Sequence, residues 1–202
     1  MSQLKTNVLI RPRSGDFLYT PDEQRVMLSD IRIAGKLGAS AIVVGALDAE
    51  GHVDCAFMKD CVEAAHGMGM GCTFHRAFDM CAEPEETLER IIALGFDRLL
   101  TSGQAATAEK GVRLIARLVE QARDRIAIMP GSGVNAANAV RILKECGARE
   151  IHASARCRVG SRMKYRRGGV QMGASGQDEY QTMETSEESV KAIVDAIATF
   201  HA

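Results

Sequence analysis

Polar and ionisable residues follow six short apolar runs of this sequence, each at the point where its run ends. They are, in chain order, Arg11, Arg13, Asp16, Asp48, His75, Arg76, Asp79, Ser102, Gly131, Ser132, Gly133, His152 and Ser154. If the runs are parallel β-strands, their carboxyl ends share one edge of the sheet, and ligands bind beyond that edge in such folds. We therefore predict that these residues surround one binding site.

The two arginines after the first run suit an anionic ligand. Strand side chains alternate between faces, so Arg11 and Arg13 share one face and could contact the same anion. The alternative is that the carboxylates of Asp48 or Asp79 neutralise them. Asp16 is predicted to shape the loop before the next helix rather than to transfer a proton.

Two histidines on different strands are predicted to face the same end of the sheet. His75 and His152 could act in proton transfer, with Asp79 as the other candidate beside His75, or they could bind a soft metal ion. Cys81 lies on a loop near the same end, so the candidate metal ligands are His75, Cys81 and His152. The alternative for a buried histidine is a structural hydrogen bond.

A glycine turn after the fifth run suits a phosphate group. Gly131, Ser132 and Gly133 precede a predicted helix, where backbone N–H groups can surround an anion. The alternative is a tight strand-to-helix turn that needs glycine for its conformation alone. Arg76, Ser102 and Ser154 complete the predicted anion site.

A repeated junction indicates the elements that position these residues. Helical patterns stop at Gly38, Gly95 and Gly147, and an apolar run begins a few residues later. Helices that end shortly before strands are typical of a parallel sheet with crossover helices. The predicted strands lie at 7–12, 42–47, 72–77, 98–102, 126–130 and 150–154. The periodicity fits an α/β barrel and a doubly wound sheet equally well.

The segment 156–185 departs from this alternation and is predicted to be a long basic loop. It carries Arg156, Arg158, Arg162, Lys164, Arg166 and Arg167. Since it follows the last predicted strand, it could close over an anionic ligand, lie in solvent or contact another subunit. It lacks the interleaved aromatic residues of proteins that bind single-stranded nucleic acid, so nucleic acid is not predicted as a partner.

Composition narrows the class of protein. The 202 residues favour a single domain, and a net charge of −1 gives no overall attraction to nucleic acid or to a membrane. No apolar window is long enough to span a membrane, and the first five residues lack the apolar stretch of a signal peptide. The six cysteines form no CxxC pair, which favours reduced thiols in a cytoplasmic protein.

Several stretches together resemble the CutC-type copper homeostasis protein family. They lie at 10–17, 73–80, 100–103, 129–134 and 163–166, and the run from His75 to Asp79 (His-Arg-Ala-Phe-Asp) is distinctive. The resemblance implies a (β/α)8 TIM barrel, a cytoplasmic location, and copper binding or copper tolerance. Family members carry two further βα units before the first strand, with the cysteines that are the usual copper(I) candidates. Nothing in this sequence matches those units.

The resemblance therefore predicts an incomplete TIM barrel of about six parallel βα units. Open strand edges leave N–H and C=O groups unpaired, so we also predict a homo-oligomer. The first functional hypothesis is a copper homeostasis protein that binds copper ions. The alternatives are a TIM-barrel enzyme acting on a small anionic or phosphorylated metabolite, and a module that binds a partner protein. Copper(I) prefers sulfur ligands, whereas the predicted site offers mainly Arg, Asp, His and Ser.

Overall fold

The computed structural model describes residues 4–170, 178–198 and 200. Five strands form one parallel sheet: β1 (Asn7–Leu9), β2 (Ala41–Val44), β3 (Gly71–Phe74), β4 (Arg98–Thr101) and β5 (Ala127–Pro130). The helices are α1 (Pro21–Lys36), α2 (Cys55–His66), α3 (Pro84–Ala93), α4 (Val112–Ala122), α5 (Ala139–Cys146) and α6 (Glu187–Ala198), with a 3-10 helix at Arg76–Met80 after β3. No helix in these ranges has the length and apolarity needed to cross a bilayer.

The strand order decides between the two sheet types. The strands lie in the order β1-β2-β3-β4-β5, and each pairs in parallel with the next. A doubly wound sheet reverses its strand order at a switch point, and no reversal occurs here. The α/β fold of the TIM-barrel family is thus confirmed. Within the described residues β1 and β5 each have one strand neighbour, so the barrel is incomplete.

The two faces of the sheet differ in what covers them. Val44, Phe74, Leu99 and Ile128 occupy one row of the register and are almost fully buried in the core shared with the helices. The alternate positions, such as Val43 and Arg98, are half-buried on the opposite face. That face is the one that points inward in a barrel.

Local sequence explains where the helices begin and end. Thr20 caps α1 through a capping box with Glu23, and Pro21 is the first helical residue. Met27, Ile31 and Ala34 recur at helical spacing and form its buried stripe. Gly147 follows α5 with φ of +72°, a left-handed conformation that glycine adopts at little cost.

Two predictions for the carboxyl-terminal third are wrong. Residues 150–154 are not a strand, because a single backbone hydrogen bond, from His152 N–H to the Pro130 carbonyl (2.8 Å), joins them to β5. The predicted loop 156–185, of which 171–177 lie outside the described residues, contains an antiparallel hairpin of β6 (Arg156–Gly160) and β7 (Gln181–Thr185). The described ranges therefore contain five parallel strands rather than six.

Candidate functional site

The loops after β3 and β4 are joined through the carboxylate of Asp79. It accepts hydrogen bonds from Arg76 Nε (2.7 Å), Thr101 Oγ1 (2.5 Å), the Ser102 N–H and hydroxyl (3.0 and 2.9 Å) and the Gln104 N–H (3.1 Å). Its side chain is only 7% exposed. A carboxylate that accepts this many hydrogen bonds is held in one orientation, so it suits the positioning of its neighbours better than proton transfer.

Two nitrogens of the Arg76 guanidinium are held by hydrogen bonds, and the third is available to bind a ligand. Nε bonds Asp79, and Nη2 donates to the Ser102 hydroxyl at 2.9 Å. The Nη1 group has no acceptor in the described part of the chain, and the side chain is 43% exposed. A guanidinium that is oriented in advance loses little freedom when it binds an anion, so Arg76 is suited to that task.

The two arginines that were predicted to share an anion have different partners in the structure. Arg13 is engaged by Glu23 (2.6 Å) and Asp16 (2.9 Å), and these bonds raise its pKa. Arg11 donates to the Gly15 carbonyl at 2.7 Å. Arg11 also lies over the Phe17 ring, 4.6 Å from its centroid. Arg13 and Asp16 therefore organise the loop after β1, while Arg11 keeps an exposed guanidinium.

Asp48 closes a small loop after β2. It accepts from the N–H groups of Glu50 (3.0 Å) and His52 (2.7 Å), and the latter is the main cause that lowers the pKa of Asp48. Val53 pairs with Leu47 at the base of the same loop. The carboxylate is thus occupied within its own loop and contacts neither predicted arginine.

His75 is a buried, neutral histidine with a defined tautomer. It is 5% exposed, and its Nδ1 accepts the Ala77 N–H at 3.1 Å. Burial, and secondly the charge of Arg11, lower the pKa of His75 to about 4. Because Nδ1 is the acceptor, the neutral ring carries its proton on Nε2, which is buried without a partner in the described residues. In this arrangement Nε2 is a donor and not a base.

The candidate metal ligands do not form one cluster. In the described ranges no three His, Cys, Asp or Glu side chains lie close enough together to hold a metal ion. Ligation by His75 Nε2 would move the ring proton to Nδ1, where it would face the Ala77 N–H. Cys81 is buried, accepts from Gln104 Nε2 (3.4 Å) and has a raised pKa because of that burial. His152 is exposed, next to Gly131.

The glycine turn after β5 packs against the loop after β4. The Ser132 hydroxyl donates to the Ala106 carbonyl and the Ser132 carbonyl accepts from Ala108 N–H, both at 3.0 Å. Ser132 and Gly133 have φ of +85° and +71°. Helix α5 begins only at Ala139, so the turn is not at a helix N-terminus. The N–H groups of Ser132 and Gly133 have no acceptor in the part of the chain described, which leaves them available to an anion.

Three residues at this edge were not predicted as site residues. Thr101 and Gln104 bind Asp79, and Gln104 also donates to the Cys81 carbonyl at 2.7 Å. Phe17 packs against His75 with the ring centroids 5.0 Å apart. The polar run from Thr101 to Gln104 is a usable signal for the first two, whereas an aromatic residue in a loop gives none. Ser154 is exposed and makes no hydrogen bond to another site residue described here.

Comparisons with known proteins agree with this fold. The sequence profile of the CutC family matches residues 1–157. A CutC family protein of Chromobacterium violaceum is 49% identical over 191 residues, which are 95% of this chain and 76% of that protein. One of Bacteroides thetaiotaomicron is 46% identical over 198 residues, covering 98% and 79%.

Solved structures are also similar to this chain. CutC from Streptococcus agalactiae, to which a role in copper homeostasis is attributed, superposes with a TM-score of 0.70 at 35% identity, covering 74% of this chain and 72% of that one. An aldolase, QR15, superposes with a TM-score of 0.58 at 19% identity over 75% and 68% of the two chains. At that identity the second likeness concerns the fold alone.

Proposed function

The chain belongs to the CutC family, and from this membership we propose that it acts in copper homeostasis in the cytoplasm. The observation that carries the proposal is the match of the family profile to residues 1–157. The role in copper homeostasis that is attributed to the Streptococcus agalactiae relative supports the proposal, since that protein is 35% identical to this chain. Copper ions would be the cargo of such a protein.

The sulfur donors described here do not fit a tight copper(I) site. Copper(I) prefers thiolate and thioether ligands, and the carboxyl edge of the sheet offers Cys81 with the adjacent Met80. Burial raises the pKa of Cys81, and it raises that of Cys61, in the core, to about 12, so both thiols stay protonated near neutral pH. These residues therefore support no copper-binding step, and the proposed role rests on family membership.

A copper-challenge assay tests the proposed role. A copper-sensitive bacterial host expressing the full chain should grow at higher copper than the same host with an empty vector. Host expressing an unrelated protein at the same level controls for the burden of expression. Equal growth of all three strains would contradict the homeostasis role.

A second candidate function is the binding of a small anionic or phosphorylated metabolite, as an enzyme of the barrel type would require. The observation that favours it is the available Nη1 group of Arg76, a side chain already fixed by Asp79 and Ser102. The exposed guanidinium of Arg11 lies on a loop of the same edge, as do the N–H groups of Ser132 and Gly133, which have no acceptor in the described ranges. Guanidinium and backbone N–H groups are the donors that proteins use for phosphate and carboxylate.

Titration with inorganic phosphate and with sugar phosphates, followed by NMR, tests this candidate. Arg76→Ala should weaken binding about tenfold or more, because a charged hydrogen-bond donor is lost. Arg76→Lys keeps the positive charge and so separates the loss of charge from the loss of the guanidinium hydrogen bonds. Arg113→Ala, at an exposed arginine on α4, should leave ligand binding unchanged. Equal binding by Arg76→Ala and the unaltered chain would exclude this site.

A further inference from the structure

The buried donor of His75 has no acceptor among the described residues. Its Nε2 is one of two buried side-chain polar atoms that lack a hydrogen-bond partner in the described residues; the other is the Tyr19 hydroxyl. Such groups are uncommon, because a buried N–H without an acceptor loses the hydrogen bonds that it made to water. A donor kept in this state at the carboxyl edge of a barrel-type sheet is a candidate for ligand binding.

The opposite edge of the His75 ring is held in place. Nδ1 accepts the Ala77 N–H at 3.1 Å, and a methyl group placed on Gly45 of the neighbouring chain segment would lie 2.5 Å from Nδ1. The backbone at Gly45 therefore lies directly against this edge of the ring. Because Nδ1 is occupied by a backbone donor, the Nε2–H tautomer is fixed by the fold and not by a ligand.

Two aromatic rings pack against the histidine: that of Phe74, the preceding residue, with centroids 6.2 Å apart, and that of Phe17, from the loop after β1. Phe17 lies with its centroid 5.0 Å from that of His75, tilted by 57°, and Arg11 stacks on Phe17 at 4.6 Å. The backbone of Phe17 is anchored, because its carbonyl accepts the Leu47 N–H at 2.9 Å. Phe17 is only half-buried, so an outward turn of its side chain would leave the anchored backbone in place.

We propose that His75 donates a hydrogen bond from Nε2–H to a carbonyl-type oxygen of a small anionic metabolite, and that the Phe17 ring is the gate that covers this donor in the free protein. This proposal rests on the second candidate function, the anion site at Arg76. It names the chemical class of the ligand: a compound with one acceptor oxygen for His75 and one anionic group for the arginines.

The charges around the gate support this ligand class. Arg11, on the face of Phe17, is close enough to His75 for its charge to disfavour a second positive charge on the ring. A neutral donor accepts an oxygen ligand without a change of protonation, whereas an imidazolium beside Arg11 would be costly. Arg11 and His75 thus favour a ligand that places its anionic group at Arg11 and a neutral acceptor oxygen at His75.

NMR of the histidine ring tests the proposal directly. In 15N-labelled protein near neutral pH, the Nε2–H resonance of His75 should be visible because its exchange with water is slow. Phe17→Ala should speed that exchange at least tenfold, while Phe17→Leu, which keeps an apolar cover, should leave it slow. A His75 ring with its proton on Nδ1, or equal exchange rates in all three proteins, would overturn the proposal.

Added compounds then separate the proposal from the function on which it rests. Pyruvate and dihydroxyacetone phosphate carry both a carbonyl oxygen and an anionic group, and they should shift the His75 Nε2–H and the Arg76 Nε–H resonances. Inorganic phosphate should shift only Arg76. If all three compounds shift Arg76 and none shifts His75, the anion site stands and the proposed role of His75 is wrong. If none shifts either residue, both are wrong.

Discussion

The Nδ1 atom of His75 accepts the backbone N–H of Ala77 at 3.1 Å, and this bond determines what the histidine can do. It leaves the ring proton on Nε2 and so excludes Nε2 as a base or as a metal ligand while the bond persists. A histidine at a strand end is compatible with proton transfer, metal binding or hydrogen-bond donation. The contact with Ala77 leaves donation as the role that this fold supports.

The burial of His75 predicts a loss of stability in acid. Its pKa in the folded chain is about 4, below the usual value of 6.5, so the unfolded chain takes up the proton first as pH falls. The contribution to stability is complete above pH ~6.5 and is lost as pH falls towards ~4, by about 2–3 kcal/mol between pH ~7.5 and ~4.5. Urea unfolding at both pH values should show this loss, and His75→Asn should show a smaller one. Equal losses would contradict the buried neutral histidine.

The close contact between Gly45 and His75 predicts coupling between the two positions. Gly45→Ala places a methyl group 2.5 Å from Nδ1 and should destabilise the chain by about 1–3 kcal/mol through overpacking. In a His75→Ala background the same change should cost much less, because the clashing ring is absent. Chemical denaturation of the four proteins gives the coupling energy. Gly160→Ala is the matched control, since a methyl group there meets nothing within 4 Å.

Asp79 is predicted to be the main polar support of this edge. Asp79→Asn removes the charge and replaces one acceptor oxygen by a donor that faces other donors, which should cost about 2–4 kcal/mol. The measurement is the free energy of unfolding in urea. Asp30→Asn, at an exposed aspartate of α1, should change it by less than ~0.5 kcal/mol. A similar small effect at Asp79 would show that its hydrogen bonds contribute little.

Thiol reactivity should separate the cysteines by burial. Cys55 and Cys157 are exposed, and the other four of the six are buried. A chromogenic disulfide reagent should therefore modify two thiols quickly in the native chain and all six after denaturation. Cys55→Ser with Cys157→Ser should remove the fast phase. Rapid reaction of a third thiol in that double variant would show that a buried cysteine, such as Cys81, is accessible and available to copper(I).

Local sequence was sufficient for the elements that depend on neighbouring residues. The glycine stop predicted at Gly147, after α5, depends on contacts within a few positions of the chain. The alternation of helices and strands predicted the parallel sheet because a crossover helix between consecutive strands lets them pair in parallel. The hairpin was missed, although Arg156 to Val159 alternate between polar and apolar residues, because its partner strand lies more than twenty residues away.

The sequence by itself determined the class of fold, the family, and the edge of the sheet at which the polar residues gather. Tertiary structure alone decided which of these residues are free to act. Arg13 binds Glu23, Asp79 joins two loops, and His75 is packed between Gly45 and Phe17. These partners come from distant parts of the chain. Protonation state, orientation and access depend on such partners, so residue type and spacing cannot specify them.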